Sequence, residues 1–161
     1  TPFPYTTLFR SPSVIALSRQ DLPAVRLAHS DDNLCGRGAY ELSPASGAAK
    51  VTLLATGSEV EIALAAQKLL QAEGIAARVV SVPCFALFER QEASYRQAVL
   101  MPATVRIAVE AGIEQGWEKY IGERGGFVGM HGFGASAPYQ QLYKHFGITA
   151  EAVAAAAKAR L

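Results

Sequence analysis

KVTLLATGSEVEIALAAQKLLQAEG, residues 50–74, is the stretch whose reading decides the fold. Val51 to Ala55 is a short aliphatic run with the composition of a strand buried on both faces. Thr56-Gly57 breaks the run. Ser58 then stands three residues before Glu61, the spacing of a capping box, in which two side chains satisfy orphan amides at a helix start. Val60, Ala63, Leu64, Gln67 and Leu70 come next at helical spacing, and Gly74 stands where a left-handed C-cap is needed. Ala77 to Val82 is a second apolar strand. Strand, helix and strand with links this short form a βαβ unit, and its crossover is right-handed.

The same grammar continues toward the C-terminus. Pro83 stops the second strand, and Gln91 to Leu100 has helical spacing up to Pro102. Thr104 to Val109 is the next strand, with Glu110-Ala111-Gly112 at its carboxyl end. A short helix around Trp117 to Ile121 leads to a glycine-flanked strand over 125–129. Residues 132–138 form a loop, and Pro138 suits the first position of a helix running to Phe146. Gly147 caps that helix, and Thr149 with Glu151 opens a final one. In the other direction, Tyr40-Glu41-Leu42 reads as an edge strand closed by a turn over 44–47. Ser13 to Leu17 reads as a short buried-type strand ending in a polar turn over 18–23. Residues 24–36 carry no period and read as a linker. Residues 1–11 sit badly against the rest of the chain and read as a non-native leader, outside fold reasoning. Strands alternating with helices give an α/β fold: a three-layer, mostly parallel sheet with helices on both faces.

The 161 residues make one domain of ordinary size. Half are apolar and the formal charge is +1. Neither nucleic acid nor an acidic membrane surface is implied as a partner. No apolar run reaches the ~20 residues that span a bilayer. Cys35 and Cys84 lack C-x-x-C spacing and read as reduced thiols of a cytoplasmic protein. No G-x-G-x-x-G lies between a strand and a helix, and no Walker-A or H-E-x-x-H motif occurs. His29, His131 and His145 are isolated, without ligand spacing. Cys84 follows a strand in apolar surroundings, which favours an inert thiol. Ser58 is taken up as a cap, so no nucleophile elbow is present. Glu110 stands where parallel sheets keep function, although a hydrogen-bonded structural carboxylate is the simpler reading. Arg19 lies just past the first strand, where its planar fork could meet a pair of phosphate oxygens. An ion pair with Asp21 is the simpler role for it. Composition and spacing alone thus give an α/β domain without a complete active site.

Several segments together resemble the C-terminal region of transketolase. They are Ala16-Leu17-Ser18-Arg19-Gln20, the turn from Leu54 to Val60, and Val80 to Cys84 continuing to Leu87-Phe88. Tyr95-Arg96 through Leu100, Val109 to Gly112, Gly129-Met130, Phe133-Gly134 and Ser136-Ala137-Pro138 complete the match, in order from about Pro12 to the end. Val82 departs from the usual methionine, and His131 is an unusual member of the glycine-rich loop.

The resemblance implies residues 12–36 as the tail of a pyrimidine-binding domain with its linker, and 37–161 as the transketolase C-terminal domain. It implies an enzyme that moves a two-carbon ketol unit between sugar phosphates in the pentose phosphate pathway. Such enzymes work as homodimers with thiamine diphosphate and Mg²⁺ or another divalent cation. The segments that hold that cofactor do not occur here, so no catalytic, cofactor-binding or metal position carries over, and the piece by itself is expected to be inactive. One position does carry over: Arg19, as the arginine that grips the substrate phosphate. Such a role supplies orientation through remote binding energy. The rival readings are the third domain of a 1-deoxyxylulose-5-phosphate synthase or of a keto-acid dehydrogenase β subunit, and a non-catalytic interaction module. With no sheet partner in the chain, residues 1 to about 36 are expected to pack loosely, because an unpaired strand leaves its backbone groups unmet.

Overall fold

The computed structural model describes residues 14–27 and 31–161. Its centre is a five-stranded sheet of β1 (Tyr40–Ser43), β2 (Val51–Ala55), β3 (Ala77–Ser81), β4 (Val105–Val109) and β5 (Gly126–Val128), in the order β1-β3-β2-β4-β5. All neighbours are parallel except β1, which runs antiparallel to β3 at the edge. Val51 pairs with Ala77 on one side and Val105 on the other, so the βαβ unit of residues 51–81 is the middle of the sheet. Every residue of β2 and β3 is buried, which is why both read as unbroken runs rather than alternating ones.

Among the described residues, six α-helices cover the two faces: α1 (Glu59–Ala72), α2 (Phe85–Glu89), α3 (Ala93–Leu100), α4 (Glu118–Ile121), α5 (Tyr139–Phe146) and α6 (Ala150–Lys158). On one face Val60, Ala63 and Leu70 of α1 and Val153 and Ala157 of α6 meet Leu53, Val79 and Ile107 of the strands. On the other, Phe88 of α2, Val99 of α3 and Tyr120 of α4 meet Leu54, Val80 and Ala108. Odd and even positions of the same strands thus feed opposite cores. Gln67 is a polar residue on the apolar stripe of α1, and it is fully used. Its amide donates to the carbonyls of Pro44 (3.0 Å) and Ala77 (2.9 Å) and accepts from Ser43 (2.8 Å), tying the edge strand to the helix.

Four expectations need correction. Ser58 has helical φ/ψ and makes no capping hydrogen bond, because its hydroxyl donates instead to Glu59 Oε1 at 2.9 Å. Val14 to Leu17 forms no buried strand: Val14 is 97 % and Leu17 85 % exposed. No strand of the described sheet runs beside them, which agrees with the loose packing expected of this segment. The helix expected over 91–100 begins at Ala93, and a five-residue helix, α2, precedes it. One turn and a half is too short to show a period, and α2 forms because Phe85 stacks on Tyr120 and Phe88 drops into the core. Pro138 is the N-cap of α5, extended in backbone, rather than its first helical residue.

Other expectations hold. Gly74 has φ +75° and hands its amide to Gln71 O, while Ile75 N returns to Leu70 O. Gly147 closes α5 at φ +69°, and Thr149 accepts from Ala152 N at the start of α6. Residues 1–11, expected to be a non-native leader, lie outside the described residues, as do Ser13 and His29, so the structure does not test that expectation.

Candidate functional site

Strand β2 is flanked by β3 and β4. The chain leaves β2 through α1 on one face, and reaches β4 through α2 and α3 on the other. The loops after β2 and β4 therefore diverge, and the crevice between them is a topological switch point, the place where open α/β sheets bind ligands.

Thr56, Gly57 and Ser58 follow β2 there, and Glu110, Ala111 and Gly112 follow β4. Thr56 Oγ1 donates to Glu110 Oε2 at 2.5 Å, bridging the two strand ends. The Glu110 amide donates to Val128 O (3.1 Å) and that of Met130 to Gly112 O (2.8 Å), so the glycine-rich loop after β5 is hung on the same corner. Glu59 opens α1, where the helix N-terminus favours a carboxylate. It is 97 % buried, since only 3 % of it is exposed, and it is matched by donors. The Ser58 and Tyr143 hydroxyls both donate to its Oε1, and Tyr143 also lies 3.1 Å from Ser58 Oγ.

The crevice shifts two of its titratable groups. Burial pushes the Glu110 carboxyl above its usual range; the Thr56 hydrogen bond opposes this and the charge of Glu59 adds to it. Burial, then the bond to Glu59, raises the Tyr143 hydroxyl. The crevice encloses about 350 Å³, with Met130, Leu142, Phe146 and Ile148 as its apolar wall.

The described part of the N-terminal segment runs along this edge. Gln20 projects into the cleft beside Ser58, Glu59 and Tyr143, and its Oε1 is buried without a hydrogen-bond partner. Leu22, Pro23 and Val25 then wall a second crevice together with Gly57, Val60, Ser81 and Pro83. The Arg26 guanidinium sits 5.8 Å over the Tyr40 ring. Gln20 is half-buried, whereas residues 14–19 and 21–27 are exposed, in keeping with the loose packing expected of this segment.

Arg19 stands in the bend just before Gln20, with its side chain in solvent, and among the described residues it makes no ion pair with Asp21. It does not line the cleft; its neighbour does. Glu110 is at the strand end foreseen for it, and it is hydrogen-bonded. His131 and His145 are exposed and belong to no cluster of potential metal ligands among the described residues. Cys84 is half-buried at the start of α2, and Cys35 is exposed. Gln20, Glu59 and Tyr143 escaped sequence reasoning. The available signal was Glu59 beside Ser58 directly after a strand, but the spacing to Glu61 pointed to a cap.

Comparison with known proteins places this geometry. Residues 38–149 match the transketolase-like TK C-terminal domain family. The transketolase of Rhodobacter capsulatus is 55 % identical over 158 residues, covering 94 % of this chain and 24 % of that protein. The transketolase structure from Leishmania mexicana superposes with a TM-score of 0.73 at 43 % identity, over 79 % of this chain and 18 % of that one. A Pichia stipitis transketolase solved with sedoheptulose-7-phosphate gives 0.71 at 35 % identity, over 77 % and 18 %. The chain spans about a quarter of the length of the curated relatives it matches, 24 % and 23 % for the first two. A parallel sheet with this switch point, carrying these motifs in this order, belongs to the transketolase family, as its C-terminal domain.

Proposed function

We propose that this chain is the C-terminal part of an enzyme that transfers a two-carbon ketol unit between sugar phosphates in the pentose phosphate pathway. The observation that carries the reading is the 55 % identity to a transketolase across nearly the whole chain. In this reading residues 12–36 end a pyrimidine-binding domain and 37–161 form the C-terminal domain. Arg19 grips the phosphate of the sugar, and its exposed side chain, uncommitted to Asp21, leaves the guanidinium available for that contact. The P. stipitis relative solved with a seven-carbon sugar phosphate supports this substrate class. The enzyme acts as a cytoplasmic homodimer; two free cysteines suit a reducing compartment. No helix of the described residues is long and apolar enough to cross a membrane.

Thiamine diphosphate and a divalent cation belong to the complete enzyme in this reading. The described residues contain no group of three or more His, Cys, Asp or Glu able to hold a metal. The two carboxylates that meet in the cleft are engaged by Thr56, Ser58 and Tyr143. The described residues thus do not fit the cation. This chain's own contribution is to bind and orient: a guanidinium fixed at one point turns phosphate affinity into alignment of the distant carbonyl.

The test is a chimera in which this chain replaces the matching quarter of the R. capsulatus enzyme. It should transfer ketol units from sedoheptulose 7-phosphate. Arg19→Ala should raise KM for the sugar phosphate by about tenfold to a hundredfold, the worth of one or two charge-assisted hydrogen bonds. An active chimera whose KM ignores that substitution would refute the role of Arg19. A chimera that folds and dimerises but is inert would refute the proposed activity.

A further inference from the structure

Three motifs of this chain have no chemistry of their own: Thr56-Gly57-Ser58-Glu59 after β2, Glu110-Ala111 after β4, and the Gly134-Ala135 loop leading to Tyr139 and Tyr143. All three converge on one crevice, and the side chain that enters it from outside the sheet is Gln20. We propose that this crevice is a socket for Gln20, and that seating Gln20 positions the adjacent Arg19 for the substrate phosphate. The inference rests on the phosphate-gripping role of Arg19 and assigns Gln20, Tyr143, Ser58 and Glu59 as positioning residues.

The physical case has three parts. First, an exposed arginine in a free segment loses both rotamer and backbone freedom when it binds, a cost that prior anchoring removes. Consecutive Cα atoms are fixed about 3.8 Å apart, so holding Gln20 confines the origin of the Arg19 side chain. Second, the segment meets the fold again beyond Gln20, where Arg26 stacks over the Tyr40 ring, and Leu22, Pro23 and Val25 wall a crevice with the loops after β2 and β3. The segment thus touches the fold at Gln20 and Arg26, while Arg19 itself remains in solvent. Third, the socket is rigid before Gln20 enters it. Glu59 is locked by Ser58 and Tyr143, Glu110 by Thr56, and the bonds from Tyr143 and Thr56 each join two different parts of the fold. The Gln20 amide group meets the Tyr143 hydroxyl oxygen as a donor, while its Oε1 stays without a partner because the Thr56, Ser58 and Tyr143 protons are spent on the two carboxylates.

The experiment has two arms. In the 161-residue chain, trypsin should cut after Arg19 about threefold to tenfold faster in Gln20→Ala and Tyr143→Phe, because one hydrogen bond's worth of seating is lost. The melting temperature of Gln20→Ala should stay within about 2 °C of the parent, whereas Tyr143→Phe also strips a donor from buried Glu59 and should melt lower. In the chimera, the same variants should raise KM for sedoheptulose 7-phosphate by about threefold to tenfold with kcat within about twofold, and add nothing once Arg19 is Ala. A purely structural role for Tyr143 would act independently of Arg19. If Arg19→Ala raises KM while Gln20→Ala and Tyr143→Phe leave cleavage and KM unchanged, the socket is overturned and the Arg19 reading stands. If Arg19→Ala leaves KM unchanged, that reading falls, and the positioning role falls with it.

Discussion

Replacing Gly38 by alanine tests how the linker is joined to the sheet. Gly38 follows a single 3-10 turn (Leu34–Arg37) and has φ +81°. Its amide donates to Cys35 O and its carbonyl accepts from Cys84 N, both at 3.0 Å, so it clamps the entry to β1 against the start of α2. A Cβ built there would stand 2.1 Å from Phe88 N and 2.4 Å from Cys84 O. Both are backbone atoms and cannot rotate aside. The left-handed conformation costs a non-glycine residue about 1–2 kcal/mol, and forcing extra volume into a packed site about 1–3 kcal/mol more, so roughly 3 kcal/mol is expected. Gly74 supplies the control. Its φ is +75°, but a Cβ there meets nothing within 4 Å, so Gly74→Ala should show the conformational part alone, about 1–2 kcal/mol. In urea unfolding followed by circular dichroism, a slope of about 2 kcal/mol/M places the Gly38→Ala midpoint roughly 1.5 M below the parent and Gly74→Ala about half as far. If the two variants fall by equal amounts, the close approach of Gly38 to α2 is wrong.

Two further outcomes are expected. Burial, in the face of Thr56's opposing hydrogen bond, raises the Glu110 carboxyl, so the folded protein holds that proton more tightly than the unfolded chain. The group's contribution is then present below the ordinary glutamate value and is lost as pH rises through the folded value. Glu110→Gln, which still accepts from Thr56, should be more stable than the parent at about pH 7, and the gap should close as the pH falls toward about 4; a constant gap across pH titrations of thermal stability would refute this. Arg106 is half-buried and its Nε has no hydrogen-bond partner; burial and then the charge of Arg124 lower its pKa. Arg124→Glu turns that repulsion into attraction at a solvent-facing position and should stabilise the chain by at most about 1 kcal/mol, less in high salt. A destabilised variant in low-salt melting curves would contradict the placement of the two side chains.

What the sequence determined by itself was whatever its neighbours along the chain dictate. The strand at Val51, the helix from Glu59 to Leu70 and the glycine turn at Gly74 are set by composition, period and φ within a few residues, so they were legible. So were the edge strand at Tyr40, the parallel order implied by short crossovers, and the ordered motifs that mark the family. The limits of that legibility show at Ser58. Its spacing to Glu61 predicts a local cap, yet the hydroxyl bonds toward Glu59 and Tyr143, the latter 85 residues away. The short helix at Phe85 exists because Tyr120 and Trp117 offer rings to pack on, which no local period announces. Val14 to Leu17 has strand composition, but a strand is a pairing, and only the fold says whether a partner is there. The cleft itself belonged wholly to the tertiary structure. Gln20, Glu59, Glu110 and Tyr143 come from four separate segments, brought together because the crossovers on either side of β2 take opposite faces of the sheet and leave its carboxyl end open.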